Sequence, residues 1–333
     1  MAISYLHMDP FLDAAEADNM LRIAESFGSF GTYAEEATSE GLGESLPQRF
    51  DVGLHYVARG LDGQGNRDDE VTAQSRTNYF RETYAYGSDK RVAGIEHFMD
   101  HPQMQAAARD ISGCAEVVPA IVYANLLVPG QELAIHTDVP EFRGANRKNL
   151  PQWLLVCMLH SGLFHRWRVP ILTCVSWFGA AKGGAFTFYP DGVDGQREAI
   201  TAKHNSAILI DTDKVFHGVE RVENNIAELP AINAGTRLHY LGEQRWELKC
   251  DGKVFAEYSW SQLRYSVSWK GYCFKDQAER SVWEDHSNDL SLDAILAIFD
   301  DELQRCGLSK GPRPAPDAFA QLLVETYIRF PGA

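Results

Sequence analysis

Positive charge is what this chain has least of: 31 Lys and Arg stand against 46 Asp and Glu, a formal net charge of −15. Nucleic-acid binding is driven by lysine and arginine neutralising phosphates, and no basic run is long enough to override the deficit, so a nucleic-acid partner is not expected. Paired cysteines are missing too. Cys114, Cys157, Cys174, Cys250, Cys273 and Cys306 form no C-x-x-C pair and sit mostly in apolar surroundings, which reads as reduced thiols rather than a disulfide framework or a zinc knuckle. There is no basic-then-apolar leader at Met1 to Tyr5 and no apolar run of membrane-spanning length. The expectation is a soluble, cytoplasmic protein with no membrane partner, and at 45% hydrophobic residues over 333 it can bury a sizeable core.

What is present is a recurrence of short β-like runs with Gly and Pro between them, from Val117 to Trp269, which argues for an antiparallel sandwich or barrel rather than a wound α/β sheet. Val117 to Val128 is β-branched and apolar, with Tyr123 and Asn125 on one face and a turn at Pro129-Gly130. Leu150 to His165 reads as a helix, and Val169 to Phe178, Gly183 to Pro190, Ala207 to Asp211 and Val215 to Val222 as strands. A hairpin is expected around Cys250-Asp251-Gly252, and a last strand at Leu263 to Trp269. Helices flank this region. One is expected with Asp9 as N-cap and Pro10 at its first position; two more follow the strands, capped at Ser291 and opened by Pro316. The last two read as packing material or as the surface of a homo-oligomer. Thr38 to Ser75, rich in Gly, Glu, Asp and Ser, reads as surface loops or a lid.

The chemistry concentrates in Ile135-His136-Thr137-Asp138. Side chains two apart on a strand point the same way, so an imidazole and a carboxylate converge on one point, and His217 offers a second imidazole. Two His and one carboxylate make a facial triad suited to Fe(II), with coordination positions left open. His-x-Asp by itself is a weak signal, more often a surface or capping pair. For His217 the plain alternative is a core histidine bonded to backbone, and His160, His165, His204 and His239 read as structural or exposed. Arg264, Ser266, Ser268 and Lys270 alternate with Tyr265, Val267 and Trp269, which by itself is a strand with one wet face.

The ordered set His136-x-Asp138, Gly183-Gly184-x-Phe186-x-Phe188, His217 and Arg264-x-Ser266 resembles the Fe(II)/2-oxoglutarate-dependent oxygenases, over roughly Val117 to Phe274. The resemblance implies a mainly β fold, a double-stranded β-helix or cupin-like jelly roll with flanking helices. It divides a single oxygenase domain into an N-terminal helical and loop region (1–115), the core (116–275) and C-terminal helices (276–333). It also implies Fe(II) on His136, Asp138 and His217, and 2-oxoglutarate as cosubstrate with its distal carboxylate on Arg264 and Ser266. Asn125 and Tyr123 are positioned to help, where the family varies. A guanidinium fork matches a carboxylate bidentately, and a hydroxyl two residues along reaches the same oxygens. In many members the arginine follows the distal histidine closely; here the interval is long, so Arg221 and Arg237 compete with Arg264.

The implied reaction uses O2 to oxidise a small molecule, such as an amino acid or biosynthetic intermediate, with 2-oxoglutarate converted to succinate and CO2. Asp138 favours hydroxylation, desaturation or ring closure over halogenation, because related halogenases carry a small residue there. Arg143, just past the metal pair, is a candidate for an anionic substrate at the barrel mouth, against an equally good reading as a solvated arginine. Gly183-Gly184 is read as a turn and given no chemical role. The alternatives are a protein or peptide hydroxylase and a metal-binding jelly roll without catalysis. Zinc hydrolysis would leave Arg264 and Ser266 without a role.

Overall fold

The computed structural model describes residues 4–33, 49–58, 75–223 and 229–332. In chain order the first strands are β1 (Tyr5–Met8), β2 (Ser29–Thr32), β3 (Phe80–Tyr86), β4 (Asp89–Lys90), β5 (Glu116–Leu127), β6 (Leu133–His136), β7 (Glu141–Phe142) and β8 (Arg168–Val169). There follow β9 (Ile171–Phe178), β10 (Phe186–Phe188), β11 (Glu198–Ile200), β12 (Ser206–Ile210), β13 (His217–Val219), β14 (Arg237–Gly242), β15 (Arg245–Cys250), β16 (Lys253–Ser259) and β17 (Arg264–Phe274). The helices are α1 (Ala14–Phe27), α2 (Phe50–Ala58), α3 (Ile95–Met99), α4 (Pro102–Ser112), α5 (Gln152–Ser161), α6 (Gln277–Glu284), α7 (Leu292–Arg305) and α8 (Pro316–Tyr327).

Strands β12-β9-β17-β5 lie side by side in a major sheet, and β11-β10-β13-β6 form a minor one. Following the chain, β5, β9, β12 and β17 belong to the first sheet while β6, β10, β11 and β13 belong to the second, so the path winds between two facing sheets. That winding is a double-stranded β-helix. The sheet extends beyond the jelly roll: β1 adds to β12, and β3, β2, β14, β15 and β16 continue outward from β5. Four strands from the region read as helices and loops, β1, β2, β3 and β4, therefore join the major sheet. The long interval between His217 and Arg264 is used by β14, β15 and β16, whose last hairpin turns at Asp251-Gly252 with both residues at positive φ.

Helix α1 begins later than Asp9-Pro10 suggests. Asp13 is its N-cap, accepting from Glu16 N at 2.8 Å while Glu16 Oε2 accepts from Asp13 N at 3.2 Å, so two orphan donors are satisfied at once. Ala17, Met20, Ile23 and Ala24 then make one buried stripe. Together with α3 and α4, α1 packs on the outer face of the major sheet, around Trp269, Val267 and Tyr265. A second core gathers α5, α7 and α8, where Ile295, Leu296, Phe299, Phe319 and Leu323 bury against Trp153, Leu154 and Cys157. The apolar faces of the two C-terminal helices, read as packing or as an oligomer surface, are thus covered within the chain. Ser291 caps α7 and Pro316 opens α8, as their residue types dictate.

All six cysteines are free thiols, and among the described residues no helix is long and apolar enough to cross a membrane. The lid reading of Thr38 to Ser75 lies, apart from residues 49–58 and Ser75, outside the described residues.

Candidate metal centre and anion pocket

His136 ends β6 and His217 begins β13, and the two strands pair with these residues opposite one another. Their rings lie 4.4 Å apart between centroids. Asp138 sits two residues beyond the end of β6, not on it: its backbone N–H donates to Thr212 O at 2.9 Å, which pulls the segment against the end of β12. The same convergence results. Asp138 Oδ1 lies 3.6 Å from His136 Nε2 and 3.7 Å from His217 Nε2, and the three candidate ligand atoms all fall within 4.8 Å of one another.

Backbone carbonyls fix which ring nitrogen is available. His136 Nδ1 is 2.8 Å from Ala134 O and His217 Nδ1 is 2.9 Å from Val215 O. A carbonyl only accepts, so each Nδ1 carries the proton and each Nε2 turns its lone pair toward Asp138. Burial, with His136 beside it, pushes the His217 pKa down to about 3 despite Asp138, so this imidazole is neutral at working pH. For Asp138, burial works upward, but Lys270 foremost outweighs it and holds the carboxyl well below the usual range. Two imidazoles and one carboxylate, with donors already converging, suit a divalent ion of intermediate softness.

Beside the triad lies a small cavity walled by Tyr123, Asn125, Arg264, Ser266 and Ser268 as well as by His136, Asp138 and His217. Arg264 is 3% exposed. Its Nε donates to Gly184 O at 2.6 Å and its Nη1 reaches Ser266 Oγ at 3.4 Å, while Nη2 has no partner. Burial pushes its pKa down to about 9, which leaves it charged at neutral pH. Across the sheet Asn125 pairs with Ser266, and Asn125 Oδ1 is buried without a partner. Buried polar groups are normally satisfied, so a buried cation with an idle donor beside a hydroxyl fits a bound carboxylate. Arg221 pairs instead with Glu132 at 3.1 Å and Arg237 with Glu82 at 3.0 Å; neither lines this cavity.

A larger cavity of about 240 Å³ shares His136, Asp138, Tyr123, Tyr79 and Arg81 with the first, and adds Tyr33, Arg49, Glu141, Arg147 and Lys270. Arg81 lies over the Tyr123 ring, 4.0 Å from its centroid, and Tyr33 stacks on Tyr79 at 5.2 Å. Tyr123 thus belongs to both cavities.

Arg143 is not brought to either cavity. Its side chain turns back to donate to Arg166 O, and its carbonyl accepts from Leu290 N at 2.9 Å, because β7 pairs with β8 and carries it away from the mouth. Arg147, four residues on, takes a place in the cavity wall. Two further residues shape the site. Gly184 supplies the carbonyl that seats Arg264, with φ +63°. Lys270, on the same face of β17 as Arg264, places Nζ 2.7 Å from Asp138 Oδ2. The face of β17 read as wet is buried along its whole length, as is the opposite one. The signal was there: four polar side chains at i, i+2, i+4 and i+6 inside a strand whose other face is Tyr, Val and Trp.

No protein-family model matches the chain, and no curated protein does. Solved structures with a similar course of the backbone include a 2OG-Fe(II) oxygenase family oxidoreductase from Burkholderia pseudomallei, at 10% identity and a TM-score of 0.41, over 80% of this chain and 84% of that one. The non-haem α-ketoglutarate-dependent epimerase SnoN of nogalamycin biosynthesis follows at 11% identity and 0.41, over 82% and 77%. HygX from Streptomyces hygroscopicus, solved with nickel, 2-oxoglutarate and hygromycin B, stands at 9% and 0.38, over 82% and 84%. The function of this chain is therefore argued from its own side chains.

Proposed function

We propose that this protein is a non-haem Fe(II)/2-oxoglutarate-dependent oxygenase that hydroxylates a small molecule. His136, Asp138 and His217 would hold the iron, and Arg264 with Ser266 and Asn125 would hold the distal carboxylate of 2-oxoglutarate. The observation that carries this reading is the idle Nη2 of Arg264, buried in a cavity whose wall includes all three metal ligands. A metal site alone would not need a carboxylate receptor opening onto it.

Iron bound there supplies the redox chemistry by which O2 adds one oxygen atom to the substrate and one to 2-oxoglutarate, which leaves as succinate and CO2. The protein's part is placement. Arg264 neutralises and orients the cosubstrate's far end, so its keto-acid end points at the triad. Val175, Phe186 and Val219 close the walls of that cavity and keep water from it. The larger cavity, about 240 Å³ and walled by Tyr33, Tyr79 and Tyr123, has the size for a small substrate beside the metal ligands.

The test is an anaerobic titration of metal-free protein with Fe(II) and 2-oxoglutarate, following the visible charge-transfer band of a chelated keto acid. The band should form, and Arg264→Ala should raise the 2-oxoglutarate concentration it requires by tenfold or more. Fe(II) binding without a band at saturating 2-oxoglutarate would leave a metal-binding jelly roll without this chemistry and sink the proposal.

A further inference from the structure

The two oxygens of Asp138 are treated differently by the fold. Oδ1 faces His136 and His217 at 3.6 and 3.7 Å. Oδ2 faces away and is held twice, by Lys270 Nζ at 2.7 Å and by Thr212 Oγ1 at 2.6 Å. Thr212 is braced in turn by Thr173 Oγ1 at 2.6 Å. Behind Lys270 stands Asp213, whose Oδ1 is 4.0 Å from Nζ, and behind Asp213 stands Arg168, with Nη2 at 3.4 Å from Oδ2. Arg168, Asp213, Lys270 and Asp138 make a file of alternating basic and acidic side chains leading to the metal ligands, with side chains 3%, 0%, 9% and 17% exposed.

Such a file is not what packing would select. Buried ion pairs are commonly matched or bettered in stability by apolar residues of similar volume, so one that ends on a metal ligand has its best explanation in what it does to that ligand. An aspartate carboxylate turns easily about its last torsion, where the energy wells are broad. Left to itself it can offer a metal one oxygen or two. We infer that Lys270 is a positioning residue: it pins Oδ2 so that Asp138 gives the metal Oδ1 alone, keeping open a coordination position that the keto acid or O2 needs. Thr212 fixes the same oxygen from the other side, and Thr173 holds Thr212 in place. Lys270 lies on β17 six residues from Arg264, so one strand seats the cosubstrate at one end and sets the coordination of the metal at the other.

This inference rests on the metal-centre reading but not on turnover. Metal-free protein is titrated with Co(II), whose visible bands report coordination number and geometry without 2-oxoglutarate or O2. Lys270→Met is compared with Lys270→Met/Asp213→Asn, which also neutralises the carboxyl behind Lys270, and with Lys270→Arg. Both Met proteins should show shifted Co(II) bands, and adding 2-oxoglutarate should perturb those bands only at concentrations tenfold or more above native. Lys270→Arg should move back toward the native spectrum. A folded double variant with native bands and a Kd for Co(II) and 2-oxoglutarate within twofold of native overturns the inference. A double variant that does not fold makes Lys270 a core residue and overturns it equally. Failure of the native protein to bind Co(II) overturns the metal-centre reading beneath it.

Discussion

A single methyl group tests how Arg264 is seated. Gly184 has φ +63°, and a Cβ placed there would lie 2.5 Å from Arg264 Cδ and 3.1 Å from Val222 Cγ2. Gly184→Ala should therefore displace the guanidinium from the anion pocket as well as strain the backbone by about 1–2 kcal/mol. Under the oxygenase reading the KM for 2-oxoglutarate should rise about tenfold, by analogy with other displaced positioning groups, while the metal affinity stays near native. An unchanged KM would separate Gly184 from the cosubstrate. The histidines respond differently, since each Nδ1 is already committed to a backbone carbonyl. His136→Ala and His217→Ala should each lose metal binding, measured by Co(II) titration, with no cosubstrate effect to separate from it.

At the scale of the element, β17 divides its labour by face. Arg264, Ser266, Ser268 and Lys270 look into the barrel, while Tyr265, Val267 and Trp269 belong to the core under α1, α3 and α4. Trp269 is wholly buried, and its Nε1 donates to Met99 O at 2.8 Å. Trp269→Ala should cost about 3–5 kcal/mol of stability, read by urea denaturation, with little change in the 2-oxoglutarate affinity of the folded fraction. Ser266→Ala should do the reverse, raising the cosubstrate requirement several-fold with the unfolding midpoint nearly unmoved. If both variants moved both quantities together, the strand would be one cooperative unit rather than two independent faces.

For the molecule as a whole, the histidines set how it meets acid. His160, held against Thr137 Oγ1 at 3.3 Å, has its pKa pushed down to about 4 by burial, against the pull of Asp51. A group depressed in the folded state binds its proton first in the unfolded chain. Its contribution is complete above its unfolded pKa near 6.5 and disappears as pH falls toward 4. Metal-free protein should lose stability across that window, and His160→Gln should make the slope shallower by up to about 1.4 kcal/mol per pH unit. Urea midpoints at several pH values measure the difference, in which other titrating groups cancel. Bound metal and cosubstrate should act in the opposite sense: if each reaches about a hundred times its Kd, each adds roughly 2.7 kcal/mol, visible as a raised Tm.

Much of this was written locally. The alternation along Leu263 to Trp269, the turn at Asp251-Gly252, the cap at Ser291 and the His-x-Asp pair each depend on neighbours a few residues away, and a sequence states such neighbours directly. What it could not state is which strands lie side by side. His217 comes opposite His136 only because β13 pairs with β6, and Lys270 meets Asp138 only because β17 lies between β5 and β9 with its polar face inward. Those pairings are chosen by burying two sheets against helices and against each other, a sum over the whole chain. The same sum turned Arg143 away from the cavity, brought Arg147 to it, and enlisted β1, β2 and β3 in a sheet to which their local sequence gave no clue.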